Sequence, residues 1–121
     1  ALSSAASDVY KRQYIFRLYR RESQRIESKL SICLVSAVDS SKNELKDIKL
    51  LEKAMDKISF SISNSLRMRD VYTRYSRSQY LLLLLDADKS SFDGIEERIM
   101  TRFRRSKTMD SVNVKFDFKE I

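Results

Sequence analysis

Little in this chain is equipped for covalent chemistry. It has no histidine, and its one cysteine, Cys33, lies inside the apolar run LSICLVSAV, residues 30–38. A structural zinc site and the Ser-His-Asp and Cys-His forms of nucleophilic catalysis are therefore excluded. A single thiol cannot close an internal disulfide, which suits a reducing compartment. The polar side chains that remain of interest gather around one turn. RYSRSQYLLLLL, residues 74–85, reads as two strands joined through Ser76-Arg77-Ser78-Gln79. Tight hairpins recruit Gly or Asn because their central residues need positive φ, and this one has neither. Ahead of it stand Arg67 and Asp70, at the end of a helical pattern. There a cation relieves the helix dipole, and Asp70 can terminate the helix and order the chain into the strand. The net charge is +7, much of it in residues 11–29 and 98–107. That balance permits nucleic acid, anionic lipid or a phosphate-bearing ligand and selects none of them. Solvated helix faces are the plain reading.

These side chains need a scaffold, and the periodicities supply one. At 121 residues, with 42% hydrophobic and 34% charged, the chain has the balance of a single globular domain. The Ala- and Ser-rich residues 1–7 read as a linker or expression remnant, and residues 8–121 as one domain cut from a longer cytoplasmic protein. The longest apolar stretch, residues 80–85, is too short to cross a bilayer. Residues 8–29 lack Gly and Pro and place Val9, Ile15, Leu18, Tyr19 and Ile26 at mostly helical spacing, predicting a basic amphipathic helix. Residues 30–38, apolar throughout, predict a strand covered on both faces. Ser41-Lys42-Asn43-Glu44 has the form of a capping box, and behind it Leu45, Ile48, Leu51, Met55, Ile58, Ile62 and Leu66 predict a helix. Strands follow near 70–75 and 79–86. Ser90 then heads a helix with Phe92, Ile95, Ile99 and Phe103 on its buried face, and VNVKFDF, residues 112–118, alternates as a half-exposed strand does. After the first helix the order is β-α-β-β-α-β. An α+β, ferredoxin-like fold is predicted, with two helices on one face of a four-stranded antiparallel sheet.

Residues 66–85 resemble the signature region of GGDEF domains, the diguanylate cyclase family. Arg67-Met68-Arg69-Asp70 resembles that family's Arg-x-x-Asp helix end, Arg74-Tyr75 its strand end, and Leu81 to Leu85 the leucines behind its Gly-Gly-Asp-Glu-Phe turn. The turn itself reads Ser76-Arg77-Ser78-Gln79-Tyr80, with the spacing kept. SDVYKRQYIF, residues 7–16, is similar to the family's Thr-Gly-Leu-x-Asn-Arg-Arg-x-Phe opening, keeping Arg12 with Lys11 where Asn is usual. The first strand resembles one that ends Asp-x-Asp in cyclases, with Ser36 and Val38 at those positions. The family's last helix and its Lys-bearing segment have no counterpart.

The resemblance implies a degenerate copy. A GGDEF cyclase joins two GTP molecules with divalent metal held on carboxylates, chemistry that is mostly positioning and charge neutralisation. Mg²⁺ needs hard oxygen ligands. The positions that carry them in the family are here Ser36 and Gln79, and Val38 offers no lone pair. Ser76 and Arg77 add side chains where two glycines would leave room for nucleotide; Ser78 completes the altered turn. No catalytic residue, metal site or cofactor is expected. The retained Arg67 and Asp70 correspond to an inhibitory site for cyclic di-GMP, in which Arg forks onto a guanine edge or phosphate and Asp accepts from guanine N–H groups. The expected role is thus an inactive signalling module that binds cyclic di-GMP or a protein, a partner or another domain of its own chain. Alternatives are a structural homodimerisation unit and a basic RNA-binding domain of the same strand order. The RNA reading lacks aromatic residues on the central strands. No DNA partner and no membrane insertion are expected.

Overall fold

The computed structural model describes residues 29–105 and 111–121. The expected linker and all but the last residue of the expected first helix, 8–29, fall outside the described residues. Within them the order is β1 (Leu30–Asp39), α1 (Ile48–Ser63), β2 (Val71–Ser76), β3 (Gln79–Leu85), α2 (Lys89–Arg104) and β4 (Val112–Glu120). The sheet runs β2-β3-β1-β4 with every neighbouring pair antiparallel. This is the predicted βαββαβ arrangement.

Register explains why β1 and β3 are apolar on both sides. Cys33 pairs with Leu82 and Val35 with Tyr80, while Ile32 pairs with Leu83 and Leu30 with Leu85. Successive side chains point to opposite faces, so the first set shares one face and the second set the other. The first face packs against Met55, Ile58 and Ile62 of α1 and Ile95, Ile99 and Phe103 of α2, forming the main core. A smaller cluster of Leu30, Leu83 and Leu85, with Ile32 against it, occupies the opposite face. Cys33 is fully buried, and that burial pushes its thiol well above the usual range. It is a packing residue rather than a nucleophile.

Element boundaries depart from the sequence reading where local polar groups intervene. The expected capping box does not form. Asp39 instead accepts from the Ser41 and Asn43 N–H groups at 2.8 and 2.9 Å, and Glu44 bridges back to Val38 as an extension of the sheet. The chain from Ser40 to Lys46 is thereby held as a loop, and α1 starts nearly two turns later. Its N-cap is Asp47, whose Oδ1 accepts from the N–H groups of Lys49 and Leu50. Similarly Asp88, not Ser90, caps α2. The Ser90 hydroxyl and N–H both donate to it, and with Lys29 nearby these hold the Asp88 carboxyl below its ordinary value.

Candidate functional site

The hairpin and the end of β1 meet at one corner of the sheet. Ser36 lies directly across from Gln79, so the two positions to which the resemblance assigns metal ligands stand side by side. Their chemistry is closed on itself. The Gln79 side-chain amide donates to Ser36 Oγ at 3.0 Å, and its carbonyl oxygen accepts from Ser76 Oγ at 2.9 Å. The Ser78 N–H points back to Ser76 Oγ at 3.4 Å. The result is a neutral chain, from the Ser78 N–H to Ser76 to Gln79 to Ser36, in which the side chains of Ser76, Gln79 and Ser36 are partnered. Val38 lies two residues along β1 on the same face and is buried.

The charges near this chain are unsuited to a divalent cation. Lys115 of β4 stands across from Ser36, within the roughly 5 Å Cβ spacing of a cross-strand pair. Its link to Asp117, at 3.9 Å, is an exposed and weak pair. The bridge to Val38 brings up Glu44, an exposed carboxylate that sequence reading had assigned to a helix cap. Among the described residues, no three His, Cys, Asp or Glu side chains are grouped to hold a metal ion. One carboxylate beside a lysine, a hydroxyl and an amide does not fit Mg²⁺, which selects charged oxygens in octahedral array.

The turn manages without glycine because none of its residues has positive φ; only Lys42 and Asp86 do among the described residues. A register shift between Arg74 and Ser76 absorbs the mismatch with strand twist. Arg74 then clamps the turn, donating from Nε to the Ser76 carbonyl at 2.7 Å and from Nη2 to the Arg77 carbonyl at 2.6 Å. Its guanidinium lies 5.3 Å from the centre of the Tyr80 ring. Tyr80 in turn donates to the Met55 carbonyl of α1 at 3.2 Å and meets Tyr72 edge-on. An arginine that sequence reading treated as a family marker is therefore the turn's internal brace.

Arg67 and Asp70 come together at the opposite end of β3, about 20 Å from Gln79 by strand length. Asp70 Oδ1 accepts from the Leu85 N–H at 3.1 Å, and Oδ2 accepts from Arg67 N–H at 3.1 Å and Nε at 3.3 Å. Arg67 Nη2 donates to the Leu85 carbonyl at 2.6 Å. The Asp70 side chain is 2% exposed and that of Arg67 52%. This is a latch joining the α1–β2 connection to the end of β3. Both Asp70 oxygens are occupied by the chain's own donors, while part of the Arg67 fork faces solvent.

The architecture is that of GGDEF domains. No family sequence profile and no curated protein sequence matches the chain, but solved structures do. A DGC protein from Thermotoga maritima superposes with a TM-score of 0.71 at 18% identity, over 93% of this chain and 79% of that one. The diguanylate cyclase SiaD of Pseudomonas aeruginosa, solved with its activator SiaC, gives 0.66 at 18% identity, over 91% of this chain and 46% of its own. The GGDEF domain of DgcB from Caulobacter crescentus, in complex with c-di-GMP, gives 0.65 at 10% identity, over 85% and 66%. At these identities the likeness establishes the fold. No helix among the described residues is long and apolar enough to cross a membrane.

Proposed function

We propose that this domain is a non-catalytic GGDEF-like module that acts in regulation through contact with a protein. The observation that carries the reading is the neutral Ser78–Ser76–Gln79–Ser36 chain with Lys115 beside it. Metal on carboxylates contributes several kcal/mol of transition-state stabilisation to phosphoryl transfer, on the order of a thousandfold or more in rate. This corner has no equivalent charge, and Arg77 on its own cannot activate an attacking hydroxyl. Incubation with GTP and Mg²⁺ or Mn²⁺ is expected to yield no cyclic dinucleotide above a protein-free blank. Product that grows in proportion to protein concentration overturns the reading.

The choice of a protein over a nucleotide partner rests on the latch. Guanine recognition by Asp70 requires a free carboxylate, and here three N–H groups already hold it. Calorimetric titration with cyclic di-GMP in large excess is accordingly expected to give no saturable heat. Saturable binding that Arg67→Ala abolishes would restore the dinucleotide-receptor reading. An RNA-binding role finds little support in the sheet. Leu30, Ile32, Leu83 and Leu85 line the face away from the helices, and Tyr80, the one aromatic of the central strands, is 7% exposed in the core. The structural-dimer alternative shares the absence of turnover and differs in needing no second partner.

A further inference from the structure

The helix layer carries a groove that neither the hairpin nor the latch involves. It lies between the second half of α1 and the end of α2, with a volume of about 360 Å³, near the lower end for ligand-binding clefts. Its floor is Ser61 and Phe103, both buried. On its α1 rim stands Phe60, 68% exposed. Leu51, Met55, Ile58 and Ile62 of the same helix face the core, so a phenylalanine left in water in its second half is poorly placed for stability and well placed as a contact.

Lys57, Arg102 and Arg105 line the same groove. A shallower hollow continues from Arg102 and Arg105 along α2 to Arg98. None of these four cations has an ion pair with another described residue, so their donors are available. Among the described residues lining the two hollows, the carboxylates are Asp56 and Glu97. The groove therefore combines one exposed aromatic anchor, a surplus of unpaired positive charge and a buried floor.

We propose that this groove docks an acidic segment of a partner protein, with an apolar side chain of that segment against Phe60 and its carboxylates on Lys57, Arg102 and Arg105. Aromatic and arginine side chains are the usual anchors of protein interfaces, and arginine forks match carboxylates in paired, charge-assisted bonds. The rim also decides against nucleic acid. A continuous phosphate backbone following the cations would meet Asp56 and Glu97, and a single aromatic gives stacking for one base only. An acidic segment with discrete charges can place its carboxylates on the cations and avoid both. The inference stands apart from the fate of GTP, since no residue of the groove belongs to the hairpin.

Fluorescence anisotropy with a labelled synthetic peptide of alternating glutamate and leucine tests it on the whole chain. Binding is expected, roughly tenfold weakened by Phe60→Ser and by the pair Arg102→Glu and Arg105→Glu, equivalent to about 1.4 kcal/mol each. Phe60, Arg102 and Arg105 are all solvent-facing, and unchanged circular dichroism confirms that the variants fold. The pair Lys46→Glu and Lys119→Glu removes the same charge elsewhere and is expected to leave affinity within about twofold, apart from general screening. Amide shifts in the NMR spectrum should cluster at residues 56–61 and 102–105. Equal losses from both charge pairs, or an unaffected Phe60→Ser variant, reduce the binding to bulk electrostatics and overturn the proposal. So does a uridine oligonucleotide that binds through these residues while the peptide does not.

Discussion

Asp70→Ala is expected to lower unfolding free energy by about 2–3 kcal/mol, a larger loss than its neighbour Arg67→Ala. The carboxylate is almost wholly buried and accepts three hydrogen bonds, two of them from backbone N–H groups. Truncation strands the Leu85 N–H, which sits beside a side chain only 7% exposed, and an unsatisfied buried donor costs about 1–3 kcal/mol. Loss of the ionic component adds less than a fully buried pair would, because the half-exposed Arg67 regains water. Arg67→Ala leaves Asp70 with two backbone donors and frees only the Leu85 carbonyl, so about 1 kcal/mol is expected. Against a stability of roughly 0.05–0.15 kcal/mol per residue, the Asp70 loss is a large fraction of the total. Urea unfolding at neutral pH measures both. An Asp70→Ala protein as stable as the parent would mean that the latch does not hold the α1–β2 connection. The same carboxylate would then be available to a ligand, which couples this measurement to the cyclic di-GMP titration.

The two ends of β3 illustrate what could be read in advance. The alternation and the three-to-four-residue periodicities gave the element order, because burial on one face is a property of type and spacing alone. The apposition of Ser36 and Gln79 is a pairing of β1 with β3, which the hairpin alone does not set; only the resemblance linked the two positions in advance. Hydrogen-bond choices were less legible. Asp47 and Asp88 cap the helices in place of Ser41 and Ser90, and nothing in a linear pattern ranks such rivals. Arg74 was visible only as part of a motif, since its role depends on two carbonyls that the turn presents to it. The groove was missed for another reason. Phe60 falls outside the apolar stripe of α1, and only the position of α2 shows that basic side chains converge on it.

Restoring carboxylates at the hairpin corner should make the protein responsive to divalent ions. In the double variant Ser36→Asp, Gln79→Glu, two negative side chains would face each other across β1 and β3 at the register position now bridged by an amide. Without metal the expected loss is about 1–3 kcal/mol, because like charges oppose across the strands and one of them enters a largely buried position. Lys115 offsets part of this. With Mn²⁺ at a hundredfold excess over its dissociation constant, binding to the folded state returns about 2.7 kcal/mol. A rise of roughly 5–10 °C in melting temperature is therefore expected for the variant, and none for the parent. Cyclase activity is not expected in this variant, since Ser76 and Arg77 keep side chains at a turn where glycines would leave the backbone bare. A parent protein stabilised by Mn²⁺ as strongly as the variant would show that the neutral corner holds metal after all. A variant indifferent to Mn²⁺ would show that the hairpin does not present these two positions as a chelate, and that carboxylates alone do not make a metal site on this backbone.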